Sequence, residues 1–75
     1  LLRRNLFMPK AVTPGVIIAA LERQGFIRKR TKGSHYIFQH PATKRRVVVP
    51  LHKKDLPKGT LHSIFKQAGF SIDDL

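Results

Sequence analysis

The sequence predicts an α+β domain in which two helices pack on one face of a three-stranded antiparallel sheet. Two apolar stripes with helical spacing stand towards the ends of the 75-residue chain. Between them lie three β-rich runs separated by turn residues. A chain of this length builds one small core and leaves no room for a second domain. The predicted order is therefore helix, strand, strand, strand, helix.

Helix signals bracket residues 14–24. Thr13 can cap a free backbone N–H, Pro14 suits the first helical position, and Gly25 supplies a residue that ends helices. Between these signals, the apolar stripe that predicts the buried face is Val16, Ile17, Ala20 and Leu21. A second helix is predicted over residues 58–68, where the stripe is Leu61, Ile64, Phe65 and Ala68.

Three β-rich runs follow the first helix, over residues 26–31, 34–40 and 45–50. In the first run, strict alternation puts Arg28 and Arg30 on one face of the sheet. In the second run, alternation puts His35 on the same face as Ile37 and puts two aromatic residues on the other. The sequence leaves open which of these two faces the helices cover.

The net charge of +11, from 15 Lys and Arg residues against four acids, makes a polyanion the natural partner. We expect nucleic acid, because two helices on one face of a three-stranded sheet match the architecture of double-stranded-RNA-binding domains. A membrane partner would need a basic helix with a broad apolar face, whereas these cations lie mainly in strands and turns. The absence of cysteine excludes disulfides and thiolate metal sites and fits a cytoplasmic protein.

Cations are concentrated in the middle of the chain, where ten Lys or Arg residues and one acid, Asp55, lie between Arg28 and Lys58. Charge runs are usually solvated faces, but three runs within one small fold favour a track that binds a phosphate backbone. Tyr36 is left open between stacking a base and packing, whereas Phe38 is predicted to be core. The cations predicted to contact RNA are Lys29, Arg30, Lys32, Lys44, Arg45, Arg46, Lys53 and Lys54.

His35 is the candidate for chemistry, because it follows a Gly-Ser turn inside the basic region. Histidine has an ordinary pKa of about 6.5, which suits proton transfer near neutral pH. An RNA 2′-hydroxyl offers a proton whose removal starts attack on the adjacent phosphorus, and nearby cations would stabilise the charge on the phosphoryl oxygens. A surface histidine that is hydrogen-bonded in its turn is the alternative interpretation.

The predicted mechanism needs no metal and no other cofactor. Two-metal cleavage requires clustered carboxylates, and none lies in the basic hairpin. His35 and His40 lie five residues apart on a strand, hence on opposite faces, which argues against joint metal ligation. In the loop after Pro50, His52 is open between a phosphate contact, a proton donor and a solvated loop residue. The four acids are Glu22, Asp55, Asp73 and Asp74.

A set of short motifs runs in order over about residues 8–75. They are Gln24-Gly25-Phe26, Lys32-Gly33-Ser34-His35, Val47-Val48-Val49-Pro50-Leu51-His52, Gly59-Thr60-Leu61 and Gln67-Ala68-Gly69. In this combination the chain resembles the HicA (YcfA-like) messenger-RNA interferase toxins of toxin–antitoxin pairs. The resemblance implies a double-stranded-RNA-binding-like fold, an endoribonuclease that cleaves messenger RNA and arrests translation, and a HicB-type antitoxin that masks the active site.

The resemblance also implies roles for individual residues. The catalytic histidine of the family maps onto His35, and Gly33 and Ser34 form the turn that presents it to a backbone phosphate. Tyr36 stands where family members often have a second histidine or another polar residue, so its role stays open. Residues 1–7 precede Met8 and lie outside the pattern, so we expect an extension followed by one domain over 8–75.

Two other function classes are compatible with the same residues. A non-catalytic RNA-binding module would use only the positive charge, so that His35 would be dispensable. An interaction protein would use the basic face to dock an acidic partner rather than RNA. A toxin–antitoxin pair combines cleavage with the third class, since an acidic antitoxin surface could occupy the RNA track.

Overall fold

The computed structural model describes residues 12–51 and 55–71, and within them the predicted α+β arrangement is confirmed. The expected extension over residues 1–7 lies outside this part of the chain. Each strand begins and ends within one residue of its predicted bounds. The elements are helix α1 (Pro14–Arg23), strands β1 (Ile27–Lys32), β2 (His35–Gln39) and β3 (Arg46–Pro50), and helix α2 (Lys58–Ala68).

Helix α1 begins at its predicted cap. The Thr13 hydroxyl accepts a hydrogen bond from the Val16 N–H at 3.3 Å, and Pro14 takes the first helical position. The prediction that Val16 belongs to the buried stripe is wrong, because its side chain is 46% exposed. One residue corresponds to about 100° of helix rotation, so Val16 lies well round the helix from the fully buried Ile17.

The three strands pair in the order β1-β2-β3, and both pairs are antiparallel. Strand β2 is therefore central, and its residues have a neighbour on each side. Phe38, fully buried, pairs with Val47, and Tyr36 pairs with Val49. Since the side chains of opposite residues share a face, these four side chains define the side of the sheet that carries the core.

Strand β1 contains a β-bulge that changes the predicted faces. Arg28 pairs with Phe38 and Arg30 pairs with Ile37, so Lys29 is the extra residue. Phe38 and Ile37 are consecutive and point to opposite faces. The prediction that Arg28 and Arg30 share a face is therefore wrong. Arg28 lies on the helix-covered side of the sheet and Arg30 lies on the other side.

Helix α2 ends at Gly69, whose backbone is left-handed. Near this end the Gln67 side-chain oxygen accepts a hydrogen bond from the Val48 N–H at 3.2 Å. Val48 belongs to the edge strand β3, and Pro50 at the end of that strand has no N–H to offer. The outer edge of β3 is thus partly closed to pairing with another strand.

The core lies between the sheet and the two helices. Strand side chains from β2 and β3 pack there with side chains from both helices and with Val12, Phe26 and Leu56, which lie outside the helices and strands. None of the helices in the described ranges is long and apolar enough to cross a membrane. The largest fully buried side chains are Phe38, Ile17, Leu21, Ile64, Val12, Val47 and Val49.

Candidate active site

A two-residue turn joins β1 to β2 and places His35 at its exit. Gly33 has a φ of 58°, and a positive φ at the first central residue is the pattern of a type II′ turn, in which glycine is favoured. A Cβ at Gly33 would meet no atom within 4 Å, so space at the turn is open. The Ser34 carbonyl accepts a hydrogen bond from the Leu51 N–H at 2.7 Å, which ties the turn to β3.

His35 is exposed on the side of the sheet that the helices do not cover. It lies directly opposite Lys32 on β1 and Pro50 on β3. Because the fully buried Phe38 points into the core, alternation along β2 directs His35 and Ile37 away from it. The question that the sequence left open is answered, since the imidazole is not under a helix.

We call this side of the sheet the helix-free face, and nine residues form it in three rows across the strands. The row at the Gly33 turn is Lys32, His35 and Pro50. The middle row is Arg30, Ile37 and Val48. The row at the opposite end is Ile27, Gln39 and Arg46.

Each row of the helix-free face contains one cation, and all three were predicted to contact RNA. Lys32 stands opposite His35, Arg30 is one row away, and Arg46 is in the last row. All three side chains are exposed, and none forms a hydrogen bond or ion pair within the described ranges. Lys29, at the bulge, is also exposed. These charges are therefore free to meet an anion.

Tyr36 and Arg28 form a cation–π pair on the helix-covered side. The guanidinium carbon of Arg28 lies 4.4 Å from the centre of the Tyr36 ring, and the ring also meets Phe38 edge-on with centroids 6.4 Å apart. Tyr36 is half-buried against the core. Arg28 covers one face of this ring and the ring packs against the core, so the contacts favour a packing role for Tyr36.

His40 lies at the far end of the sheet and has structural contacts. Its Nδ1 accepts hydrogen bonds from the Ala42 N–H at 3.1 Å and the Thr43 N–H at 3.3 Å. Its ring meets Phe26 edge-on, with centroids 5.2 Å apart. A Cβ on Gly25 would come within 2.9 Å of the Nε2 atom of His40. This histidine therefore joins the β2–β3 turn to the end of α1.

Arg45 is also engaged at the far end. Its guanidinium donates a hydrogen bond to the Gln67 carbonyl at 3.2 Å, and its Cζ lies 3.0 Å from where a Cβ on Gly69 would stand. Lys44 is exposed in the turn, with a φ of 67°. Of the three adjacent cations that were predicted to contact RNA, only Arg46 lies on the helix-free face with His35. The RNA contacts of Lys44 and Arg45 stay predictions.

The remaining predicted RNA-binding residues, His52, Lys53 and Lys54, lie outside the described residues. They follow Leu51, which is bonded to the turn before His35. In the ranges that the structure describes, no group of three or more His, Cys, Asp or Glu side chains could hold a metal ion. The residues at the Gly33 end of the sheet thus supply a histidine and cations.

The chain is similar to a known protein family. The model of the HicA toxin of bacterial toxin–antitoxin systems matches residues 17–70, which is well over half of the chain. The chain belongs to the HicA toxin family. It is accordingly a toxin of a toxin–antitoxin system, and an antitoxin is its partner. No curated protein matches the chain. Every element from α1 to α2 contributes to the matched region.

The sequence did not predict the positions of three residues of this HicA toxin. Ile27 and Val48 look like ordinary strand residues in the sequence, yet they are 53% and 41% exposed on the helix-free face. Arg28 looks like another track cation, but the bulge places it over Tyr36. The signal in the sequence is that consecutive strand residues are apolar, as in Val47-Val48-Val49, which puts apolar side chains on both faces of the sheet.

Proposed function

We propose that this HicA toxin is an endoribonuclease that cleaves messenger RNA with His35 as its catalytic residue. The observation that carries the proposal is the position of His35, exposed at the start of β2 and directly opposite Lys32. No described acid shares the helix-free face with it. A proton-transfer group therefore stands in a positive field that would attract a phosphodiester.

The proposed reaction uses a nucleophile that RNA itself carries. His35 takes the proton of a 2′-hydroxyl, the 2′-oxygen forms a bond to the adjacent phosphorus, and the bond from phosphorus to the 5′-oxygen breaks. The leaving 5′-oxygen takes a proton from the imidazolium or from water. Lys32 and Arg30 stabilise the charge that develops on the phosphoryl oxygens. The products are a 2′,3′-cyclic phosphate end and a 5′-hydroxyl end.

The turn before His35 has a second role in the proposal. Open space around Gly33 lets a backbone phosphate approach, and the exposed Ser34 hydroxyl can donate a hydrogen bond to it. The cations Lys29, Lys53 and Lys54, together with His52, extend the proposed RNA contacts. The chemistry draws on histidine and cations alone, and so requires no metal ion.

We further propose that the antitoxin is of the HicB type and binds over His35. An acidic antitoxin surface would compete with RNA for the same cations, which would couple neutralisation of the toxin to masking of its site. A messenger-RNA substrate would place both proteins in the cytoplasm. The non-catalytic RNA-binding module is the alternative, since three unpartnered cations bind a phosphate backbone with or without a catalytic group.

The test compares cleavage of an end-labelled single-stranded RNA by the full 75-residue chain and by two variants, in excess EDTA. We expect His35→Ala to slow cleavage by at least about 100-fold, the lower end of what a general acid or base contributes. His62→Ala is the matched control, because His62 is exposed on α2, and it should cleave at the normal rate. The all-DNA strand should stay intact, because it lacks the 2′-hydroxyl.

The outcomes separate the two functions. Equal cleavage rates for the unaltered chain and His35→Ala would rule out the proposed catalytic role. Intact RNA that is nevertheless bound, with an affinity that falls as salt rises, would favour the non-catalytic module. Product ends with a 3′-hydroxyl would contradict attack by the 2′-oxygen.

A further inference from the structure

The helix-free face combines exposed aliphatic side chains with cations in a regular pattern. Three large apolar side chains are strongly exposed among the described residues, and two of them, Ile27 and Val48, lie on this face. Between their strands stands Ile37, which is only 8% exposed. The aliphatic surface is therefore a shallow strip across the sheet.

The cations are arranged along the strip rather than at one end. Lys32 and Arg46 stand in the first and last rows, which are separated by four residues of β2, or about 13 Å. Arg30 stands in the middle row, beside Ile37. A ligand that contacts all three cations must therefore cross the aliphatic strip. An extended chain with phosphates at intervals has this property.

The side chains on the strip suit exposed bases rather than a duplex. Proteins that bind single strands combine a positive groove with side chains, usually aromatic, that contact the faces of the bases. In a duplex, those base faces are stacked inside the helix and are not available to Ile37 or Val48. The strip is aliphatic instead of aromatic, so it offers van der Waals contact and desolvation without ring stacking.

We propose that single-stranded RNA lies across the helix-free face, with bases next to the cleaved bond packed on the exposed Ile27 and Val48, on either side of Ile37, and with phosphates on Lys32, Arg30 and Arg46. This path deepens the proposed endoribonuclease function and rests on it, because His35 occupies the middle of the first row. RNA entering at the Gly33 turn thus passes the imidazole and continues towards Arg46. The aliphatic strip becomes a specificity-determining surface that favours unpaired RNA.

A protein partner with an apolar interface, or one that adds a strand to the sheet, fits this face less well than an anionic partner does. Charged residues are depleted at the centre of protein interfaces, whereas here Arg30 stands in the middle row and every row has a cation. Addition of a strand along β3 is also hindered, since Gln67 occupies the Val48 N–H and Pro50 lacks one. The charge and the closed edge both favour a polyanion that lies on the face.

The experiment measures RNA affinity in the full chain carrying His35→Ala, so that the probe stays intact. The probes are an end-labelled single-stranded RNA of mixed sequence and the duplex of the same strand. The first variant adds Ile27→Thr and Val48→Thr, which keep branched, strand-compatible side chains while removing apolar surface. The matched control is Val16→Thr, since Val16 is equally exposed but lies on α1.

We expect the double threonine variant to bind the single strand about three- to tenfold more weakly, with little change for the duplex. Val16→Thr should bind both probes normally. A second variant, Arg46→Ala, should lower the slope of log affinity against log salt by about 0.7, the value for one phosphate contact to a single strand. Lys66→Ala, on α2, is its control and should leave the slope unchanged.

Circular dichroism measures whether each variant is folded. If the double threonine variant does not fold, the Arg46→Ala variant still tests the RNA path. Unchanged single-strand affinity and an unchanged salt slope would overturn the path and leave the helix-free face for a protein partner. Equal losses for single strand and duplex would overturn the role of the bases. Cleavage by the unaltered chain is scored separately, so failure of the RNA path and failure of the endoribonuclease are distinguished.

Discussion

The two ends of the central strand carry similar residues in different surroundings. At one end, His35 follows an open turn, is exposed, and has no side-chain partner among the described residues. At the other end, His40 accepts two backbone hydrogen bonds and packs on Phe26. Both histidines belong to the basic middle of the chain, so charge does not separate them. Their contacts do.

Two neighbouring arginines differ in the same way as the two histidines. Arg45 is bonded to the end of α2, whereas its neighbour Arg46 is free on the helix-free face. A cavity of about 210 Å³ at the far end is lined by His40, Arg45 and residues of both helix ends. We infer that the far end holds the helices to the sheet, while the Gly33 end is left free for a ligand.

The largest expected effect on stability comes from a pair of glycine substitutions. Gly25→Ala should lower the free energy of unfolding by about 2–4 kcal/mol, because Gly25 has a φ of 95° and its new Cβ would press on the His40 ring. That ring cannot swing away without losing its hydrogen bonds. Gly33→Ala should lower the free energy of unfolding by only about 1–2 kcal/mol. Its loss comes from backbone strain alone, since its Cβ meets open space.

Urea unfolding followed by circular dichroism measures both glycine variants. Gly59→Ala serves as the control, because Gly59 lies in α2 with open space around it, and this change should be neutral or stabilising by up to about 1 kcal/mol. Equal losses for Gly25→Ala and Gly33→Ala would mean that the His40 ring moves freely. The contrast between the two ends would then fail.

The second prediction compares alanine substitutions of the two histidines. His40→Ala should lower the free energy of unfolding by about 1–3 kcal/mol, because two backbone N–H groups lose their acceptor and Phe26 loses a contact. Its cleavage rate per folded molecule should stay normal. His35→Ala should do the opposite, with unfolding within about 0.5 kcal/mol of the unaltered chain. Chemical denaturation and the RNA cleavage assay report the two effects.

A conservative variant identifies the cause of the His40 effect. An asparagine side chain at this position can accept backbone hydrogen bonds from the N–H groups that follow it in the turn, those of Ala42 and Thr43. His40→Asn should therefore recover part of the lost stability, while the contact with Phe26 stays lost. If His40→Asn were as unstable as His40→Ala, the hydrogen bonds would not be what holds the turn.

Most of the fold follows from local signals in the sequence. The Thr13-Pro14 start and the apolar stripe of α2 predict both helices to within a residue, and turn residues delimit the strands. The bulge at Lys29 was not predictable, because nothing in a run of three cations marks which one is the extra residue. That single insertion decides which of Arg28 and Arg30 joins the candidate site.

The site was only half predictable for a related reason. Sequence and family resemblance pointed to His35, but β2 has apolar residues on both faces, Ile37 on one and Phe38 on the other. Alternation separates such faces without showing which one the helices cover. Likewise, Arg45 and Arg46 are equivalent as residue types, and only the packing of α2 distinguishes them. Tertiary contacts decide these assignments.

The smallest expected effect concerns these neighbouring arginines. Arg45→Ala should lower the free energy of unfolding by about 0.5–1.5 kcal/mol, because the guanidinium donates a hydrogen bond to the Gln67 carbonyl at the negative end of α2. Arg46→Ala should change it by less than about 0.5 kcal/mol. Thermal and urea unfolding measure both. The order should reverse for RNA, where Arg46→Ala lowers the salt dependence of binding more than Arg45→Ala does.

Arg45→Lys sharpens this last prediction, since lysine keeps the charge but not the planar guanidinium. If Arg45 stabilises the end of α2 through the planar shape of its guanidinium, Arg45→Lys should lose most of the stability that Arg45→Ala loses. If it acts as one more phosphate contact, Arg45→Lys should bind RNA normally while Arg45→Ala lowers the salt slope as much as Arg46→Ala does. The second result would extend the RNA site to the far end of the sheet, where the contacts of Arg45 and His40 now indicate a structural function.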